Sequence, residues 1–156
     1  MAYIDQDGLK ELENYKYFGG EYSWLDKKMN PFWLWCSELL PKTLAPNTVT
    51  FIGFAFVVSQ YVVMLVYDVT LTRELPSWVF LWAAFCSFIY QTLDAVDGKQ
   101  ARRTGTSSPL GQLFDHGCDS FSVTFFLLGV AQAVKMHPQY IFYLLVIVSQ
   151  FWSHGN

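Results

Sequence analysis

The run Thr43-Leu-Ala-Pro-Asn-Thr-Val-Thr-Phe-Ile-Gly-Phe-Ala-Phe-Val-Val-Ser-Gln-Tyr-Val-Val-Met-Leu-Val-Tyr67 carries no charged side chain. About 20 apolar residues, rising 1.5 Å each, cross the roughly 30 Å hydrocarbon layer of a bilayer. The run therefore reads as a membrane helix, placed at Val49 to Tyr67. Leu75 to Leu93 and Phe121 to Val134 are likewise uncharged, and they place helices at Leu75 to Asp94 and Leu110 to Val134. A fourth apolar run, Tyr140 to Trp152, is too short to span comfortably. Composition alone, 53% hydrophobic and 19% aromatic over 156 residues, would also suit a soluble domain; the distribution of charge decides against it. The expected fold is all-α: a polytopic membrane helix bundle with three full transmembrane helices, a partial fourth and an N-terminal interfacial helical segment.

That segment, residues 1–48, mixes charges with Tyr15, Tyr17, Phe18, Tyr22, Trp24, Phe32, Trp33 and Trp35. Amphipathic rings favour the headgroup layer, so Pro31 to Trp35 is expected to form a short helix on the membrane surface with Pro31 in its first turn. Pro46-Asn47-Thr48 reads as a helix start, with Asn47 or Thr48 as the cap. Residues 49–156 form the membrane domain. Met1 to Gln6 has no basic region leading into an apolar core, so the first membrane helix is expected to act as its own insertion signal. Orientation follows from lysines and arginines in the flanks. Lys10, Lys16, Lys27, Lys28 and Lys42 precede the first span, and Lys99, Arg102 and Arg103 follow the second, against Arg73 and Lys135 at the other end. The N-terminus and the segment after the second span should face the cytosol. Cys36, Cys86 and Cys118 have no C-x-x-C spacing and are expected to be structural thiols.

Four carboxylates stand between the second and third spans. Asp94 and Asp97 are three residues apart, Asp115 and Asp119 four, so each pair shares one helix face. An unpaired aspartate inside a membrane helix costs roughly 2.5 to 3.5 kcal/mol, which makes such residues functional candidates by default. Two facing pairs can surround hard divalent cations with oxygen, and two such ions can clamp the attacking and leaving oxygens of a phosphoryl transfer. Gly98, Ala101, Gly111 and Gly117 leave room for a phosphate or base near the backbone. Lys99, Arg102 and Arg103 bring positive charge to the same end, where an arginine can grip a pyrophosphate with two prongs; Arg103, outside the regular spacing, is the first to assign to topology alone. Salt bridges from these three cations to the aspartates are the competing structural reading.

The pattern Asp-x2-Asp-Gly-x2-Ala-Arg-x8-Gly-x3-Asp-x3-Asp, filled at every specified position by residues 94 to 119, resembles the signature of the CDP-alcohol phosphotransferases. Asp97 to Thr104, Ser107 to Gly111, Phe114 to Ser120, Tyr15 to Tyr17 with Gly19, and Pro46-Asn47 resemble the eukaryotic choline and ethanolamine branch, nearest its ethanolamine or dual-specificity members. The resemblance implies that Asp94, Asp97, Asp115 and Asp119 bind two cations, Mg²⁺ or Mn²⁺. It implies a CDP site at Asn47, Gly98, Ala101, Arg102 and Gly111, taking CDP-ethanolamine or CDP-choline. Diacylglycerol would arrive from the membrane, its hydroxyl displacing CMP to give phosphatidylethanolamine or phosphatidylcholine. Asp119 is the family's usual base. His116 is preferred here, because imidazole titrates near neutrality and a metal-bound Asp119 is a poor proton acceptor. Members of the family continue with further helices, so a truncated form with little activity alone is expected, in the endoplasmic reticulum or Golgi membrane, as a homodimer or as a heterodimer with a full-length relative. No nucleic-acid partner is expected. The rival readings are a CDP-diacylglycerol-dependent transferase, a non-catalytic modulator and a cation channel.

Overall fold

The computed structural model describes residues 23–70 and 73–155, and there the regular secondary structure is all helical, with short connections between the helices. Tyr15, Tyr17, Phe18, Gly19, Tyr22, Lys10 and Lys16 lie outside the described residues. Five helices follow in order: α1 Trp24–Leu39, α2 Pro46–Tyr67, α3 Ser77–Thr104, α4 Pro109–Ala133 and α5 Pro138–Gly155. Of these, α2 and α3 are long and apolar enough to cross a membrane. The central helix is α2, which packs along both α3 and α4, while α1 lies against α3.

Several local expectations are corrected. The first helix begins at Trp24, not at Pro31, because Ser23 and Asp26 form a reciprocal capping box: Asp26 N donates to Ser23 Oγ at 3.2 Å and Ser23 N to Asp26 Oδ2 at 3.0 Å. Pro31 sits inside that helix, at the cost of one backbone hydrogen bond. Neither Asn47 nor Thr48 caps α2; Pro46 occupies its first turn, where the missing N–H costs nothing, and no side chain caps it. Helix α3 runs on to Thr104, because nothing from Ala95 to Arg103 interrupts it. Gly105 ends it in the left-handed region, at φ +68°. The onset of charge at Asp94 thus falls well inside the helix.

Large apolar side chains such as Phe51, Val62, Leu81 and Phe85 face outward, while Thr50, Gln60, Asp97, Gln100, Ser122 and Gln132 are buried. These polar residues are buried beside apolar ones such as Val49, Val57, Met64 and Val79, and the many outward-facing apolar side chains suit helices surrounded by lipid, where small and polar residues contribute to the helix contacts. Gln60 of α2 accepts from Ser87 Oγ of α3 at 3.2 Å. It also lies so close to α4 that a Cβ at Gly129 would stand 3.1 Å from its Nε2. Phe54 and Tyr61 of α2 meet Phe125 of α4, at ring separations of 6.3 and 5.0 Å. At the opposite end from the aspartates, Asp68 accepts from the amides of Thr70 and Arg73 at 2.8 and 2.6 Å. There Lys135 pairs with Glu74, an exposed contact that holds the Glu74 carboxyl below its usual range.

Candidate active site

Helix α3 presents Asp94 and Asp97 one turn apart, and α4 brings Asp115 to face them. One carboxylate oxygen from each of the three lies within 4.8 Å of the others. Three like charges at that spacing repel by about 4 kcal/mol per pair at an effective dielectric near 20. No lysine or arginine among the described residues forms an ion pair with them. Salt bridging to Lys99, Arg102 and Arg103 is therefore ruled out as the compensating arrangement. Asp115 Oδ1 is buried without a hydrogen-bond partner. A buried, unpartnered anionic oxygen inside an all-oxygen donor set is what a hard divalent cation fits.

Asp119, also named as a ligand from the sequence, is placed differently. It adjoins Asp94, its Oδ1 accepts a short hydrogen bond from the Tyr90 hydroxyl of α3, and it is not one of the three whose oxygens all meet within 4.8 Å. Asp97 accepts a short hydrogen bond from the Thr50 hydroxyl of α2, whose other acceptor is the Pro46 carbonyl at 3.3 Å. Both donors fall outside the signature and were missed by sequence reasoning. Their uncharged side chains give no signal except the register of the helices that carry them.

Beside the cluster opens a cavity of about 490 Å³ whose walls include Asn47, Thr50, Asp97, Arg102, Gly111, Asp115 and His116. Pro46 and Pro109, the first residues of α2 and α4, also line it, so the positive ends of two helices converge there. Together with the Arg102 guanidinium they favour an anion next to a nest of carboxylates that favours a cation. Gly111 fits closely: a Cβ there would lie 3.3 Å from Ser108 Oγ and 3.4 Å from Asn47 Oδ1. Ser108 caps α4 by accepting from Gly111 N at 3.0 Å.

Of the five residues expected around CDP, Asn47, Arg102 and Gly111 reach the cavity. Gly98 and Ala101 do not line it. The first makes room for the Arg102 guanidinium, whose Nη1 would be 3.7 Å from a Cβ at Gly98, and the second receives the amides of Gly105 and Thr106 at the end of α3. His116 is exposed on the cavity wall beside Asp115, with its Nε2 3.5 Å from Gln112 Nε2. Thr50, Ser107, Ser108 and Gln112 line the cavity without having been expected to.

The family model for CDP-alcohol phosphatidyltransferase matches residues 43–154. The chain belongs to that family. It is 44% identical over 137 residues to cholinephosphotransferase 1 of Rattus norvegicus, an alignment covering 86% of this chain and 34% of the relative. It is 45% identical over 137 residues to cholinephosphotransferase 1 of Xenopus laevis, with the same coverage. An uncharacterized CDP-alcohol phosphatidyltransferase class-I family protein of Dictyostelium discoideum shares 41% over 148 residues, 94% of this chain and 36% of the relative. The chain thus spans about a third of the length of these curated relatives. Within the matched region lie all eight residues of the signature.

Proposed function

We propose that the chain serves the transfer of phosphocholine from CDP-choline to diacylglycerol, releasing CMP and forming phosphatidylcholine. The observation that carries this reading is the cluster of Asp94, Asp97 and Asp115 beside a cavity ringed by Arg102 and two helix N-termini. The family and the names of the relatives support it, and those names favour choline over ethanolamine as the head group.

Asp94, Asp97 and Asp115, with Asp119 as a fourth, would hold Mg²⁺ or Mn²⁺, which supplies positive charge to the pyrophosphate oxygens when bound. Arg102 and the positive ends of the α2 and α4 dipoles bind and orient the pyrophosphate, and Asn47 and Gly111 set the nucleotide's approach. The diacylglycerol oxygen forms a bond to the phosphorus bearing choline as the bond from that phosphorus to the CMP oxygen breaks. CMP leaves with the bonding electron pair, and the hydroxyl proton passes to the His116 imidazole. His116 suits the base role because it faces the cavity, whereas Asp119 is engaged by Tyr90. Thr50 and Tyr90 position Asp97 and Asp119.

In this reading α2, α3 and α4 span the bilayer, α5 is a partial fourth crossing, and α1 lies in the headgroup layer with Trp24 and Trp35 exposed to it. The aspartate end faces the cytosol, at the endoplasmic reticulum or Golgi, with the lysine and arginine bias as support. The test is CMP release and phospholipid formation by the purified chain in diacylglycerol-containing micelles with Mg²⁺ or Mn²⁺, offered CDP-choline and CDP-ethanolamine separately. Product that needs the metal and disappears in Asp115→Ala supports the proposal, and faster turnover of one donor names the head group. Absence of both turnover and CDP binding would overturn it.

A further inference from the structure

Gln100 is fully buried on α3, one turn beyond Asp97, in a position that the signature leaves open. Its Nε2 donates to the carbonyls of Pro41 at 2.9 Å and Leu44 at 3.1 Å. Arg103, on the next turn of the same face, donates through Nη1 to the carbonyls of Ser37, by a short bond, and of Leu40, at 2.9 Å. It also meets Gln100 Oε1 at 3.3 Å, tying the two side chains together. Four carbonyls at the corner between α1 and α2 are thus taken by two side chains of α3. The last turn of α1 has no basic residue of its own, so Arg103 supplies from another helix the positive charge and donors that a helix C-terminus favours.

The other bonds at the corner are local. Pro41 and Pro46 donate nothing, α2 begins without a side-chain cap, and the remaining bonds are the short-range pairs Leu44 N to Pro41 O and Thr48 N to Ala45 O, both 3.0 Å, Val49 N to Ala45 O at 3.4 Å and the Thr50 hydroxyl to Pro46 O at 3.3 Å. Yet this corner delivers Asn47 to the nucleotide cavity and Thr50 to Asp97. We propose that Gln100 and Arg103 form a brace that positions the start of α2, and with it Asn47 and Thr50, against the cation and nucleotide site. The helix that carries the first two aspartates thereby also sets the opposite wall of the cavity. The neighbouring arginines have separate tasks: Arg102 lines the cavity and Arg103 does not. Both Gln100 and Arg103 are positioning residues, and their effect on the nucleotide rests on the function proposed above.

The test uses the purified chain in detergent, with Gln100→Leu, Arg103→Met and Arg103→Lys beside the unaltered protein. Two quantities are read: hydrogen exchange of the amides between residues 40 and 48, and the affinities for Mn²⁺ alone and for CDP at saturating Mn²⁺. Leaving buried carbonyls without donors should speed exchange at the corner and weaken CDP about tenfold. Mn²⁺ alone should weaken less than CDP does, because the three clustered ligands lie on α3 and α4 and only the Thr50 contact to Asp97 depends on the corner. Arg103→Lys should recover part of both losses. A general loss of structure would weaken Mn²⁺ and CDP alike, and should Arg103→Met fail to fold, Gln100→Leu and Arg103→Lys carry the comparison. Unchanged exchange at the corner, or CDP affinity within twofold in Gln100→Leu, would overturn the brace. An unaltered chain that bound Mn²⁺ but no CDP would sink the functional reading instead, while the exchange measurement would still decide whether the brace exists.

Discussion

Asp97 is buried beside the cavity and takes the hydroxyl of Thr50, a residue with no charge to mark it in the sequence. Partners that orient a metal-binding carboxylate are typically worth 10- to 100-fold in metal affinity. Thr50→Val keeps the shape and removes the donor, so it should weaken Mn²⁺ by about tenfold or more; calorimetric titration giving an affinity within twofold of the unaltered protein would refute that role. Asp94, Asp97, Asp115, Arg102 and Gly111 come together as their types and spacings suggest, whereas Gly98 and Ala101, marked by the same spacing, do not line the cavity. Thr50 and Tyr90 were not legible, since each acts across a helix interface that no local spacing encodes. Arg103 was legible as a charge, but its assignment to topology missed the carbonyls it reaches, because those carbonyls belong to another helix.

The helices were readable wherever uncharged runs are long, and so were the end of α2 at Tyr67 and both ends of α4 to within one residue; the start of α1 and the end of α3 were not. Pro31 misled because a capping box upstream overrides the preference of proline for a first turn, and Asp94 misled because a change in polarity does not stop a helix. The contact between α2 and α4 depends on a glycine. A methyl at Gly129 would stand 3.1 Å from Gln60 Nε2, whereas one at Gly117, on the same helix, meets nothing within 4 Å. Gly129→Ala must displace a glutamine amide that Ser87 already engages, and it should lower thermal stability by about 1 to 3 kcal/mol, in the range seen for overpacking. Gly117→Ala should raise stability by roughly 0.5 to 1 kcal/mol through the gain in helix propensity. Detergent-solubilised unfolding curves compare the two; equal shifts would show that helix propensity alone governs both sites.

Taken whole, the molecule buries polar side chains among apolar ones and turns many large apolar side chains outward, with the three clustered aspartates and Asp119 together at one end. Without a cation those acids repel, so metal should act as a structural ligand as well as a functional one. At a free Mn²⁺ concentration 100 times its dissociation constant the gain is about 2.7 kcal/mol, on the order of 5 to 10 °C in melting temperature. Chelation should remove that gain, and Asp115→Asn should be largely indifferent to it. A melting temperature unmoved by chelator in the unaltered chain would mean that the cluster holds no cation in the folded state. The outward-facing apolar surface was foreseeable from the charge-free runs. The convergence of two helix N-termini on one cavity was not, because it depends on how α2 seats between its neighbours.

The connection between α3 and α4 is only Gly105 to Ser108, closed by a left-handed glycine at one end and a serine cap at the other. All four acids therefore emerge from the ribosome in close succession, within roughly 1 to 5 s at common synthesis rates of 5 to 20 residues per second. By then α2, with Asn47 and Thr50, has already been made. The candidate cation ligands are thus local in the order of synthesis and are complete before α5 is made.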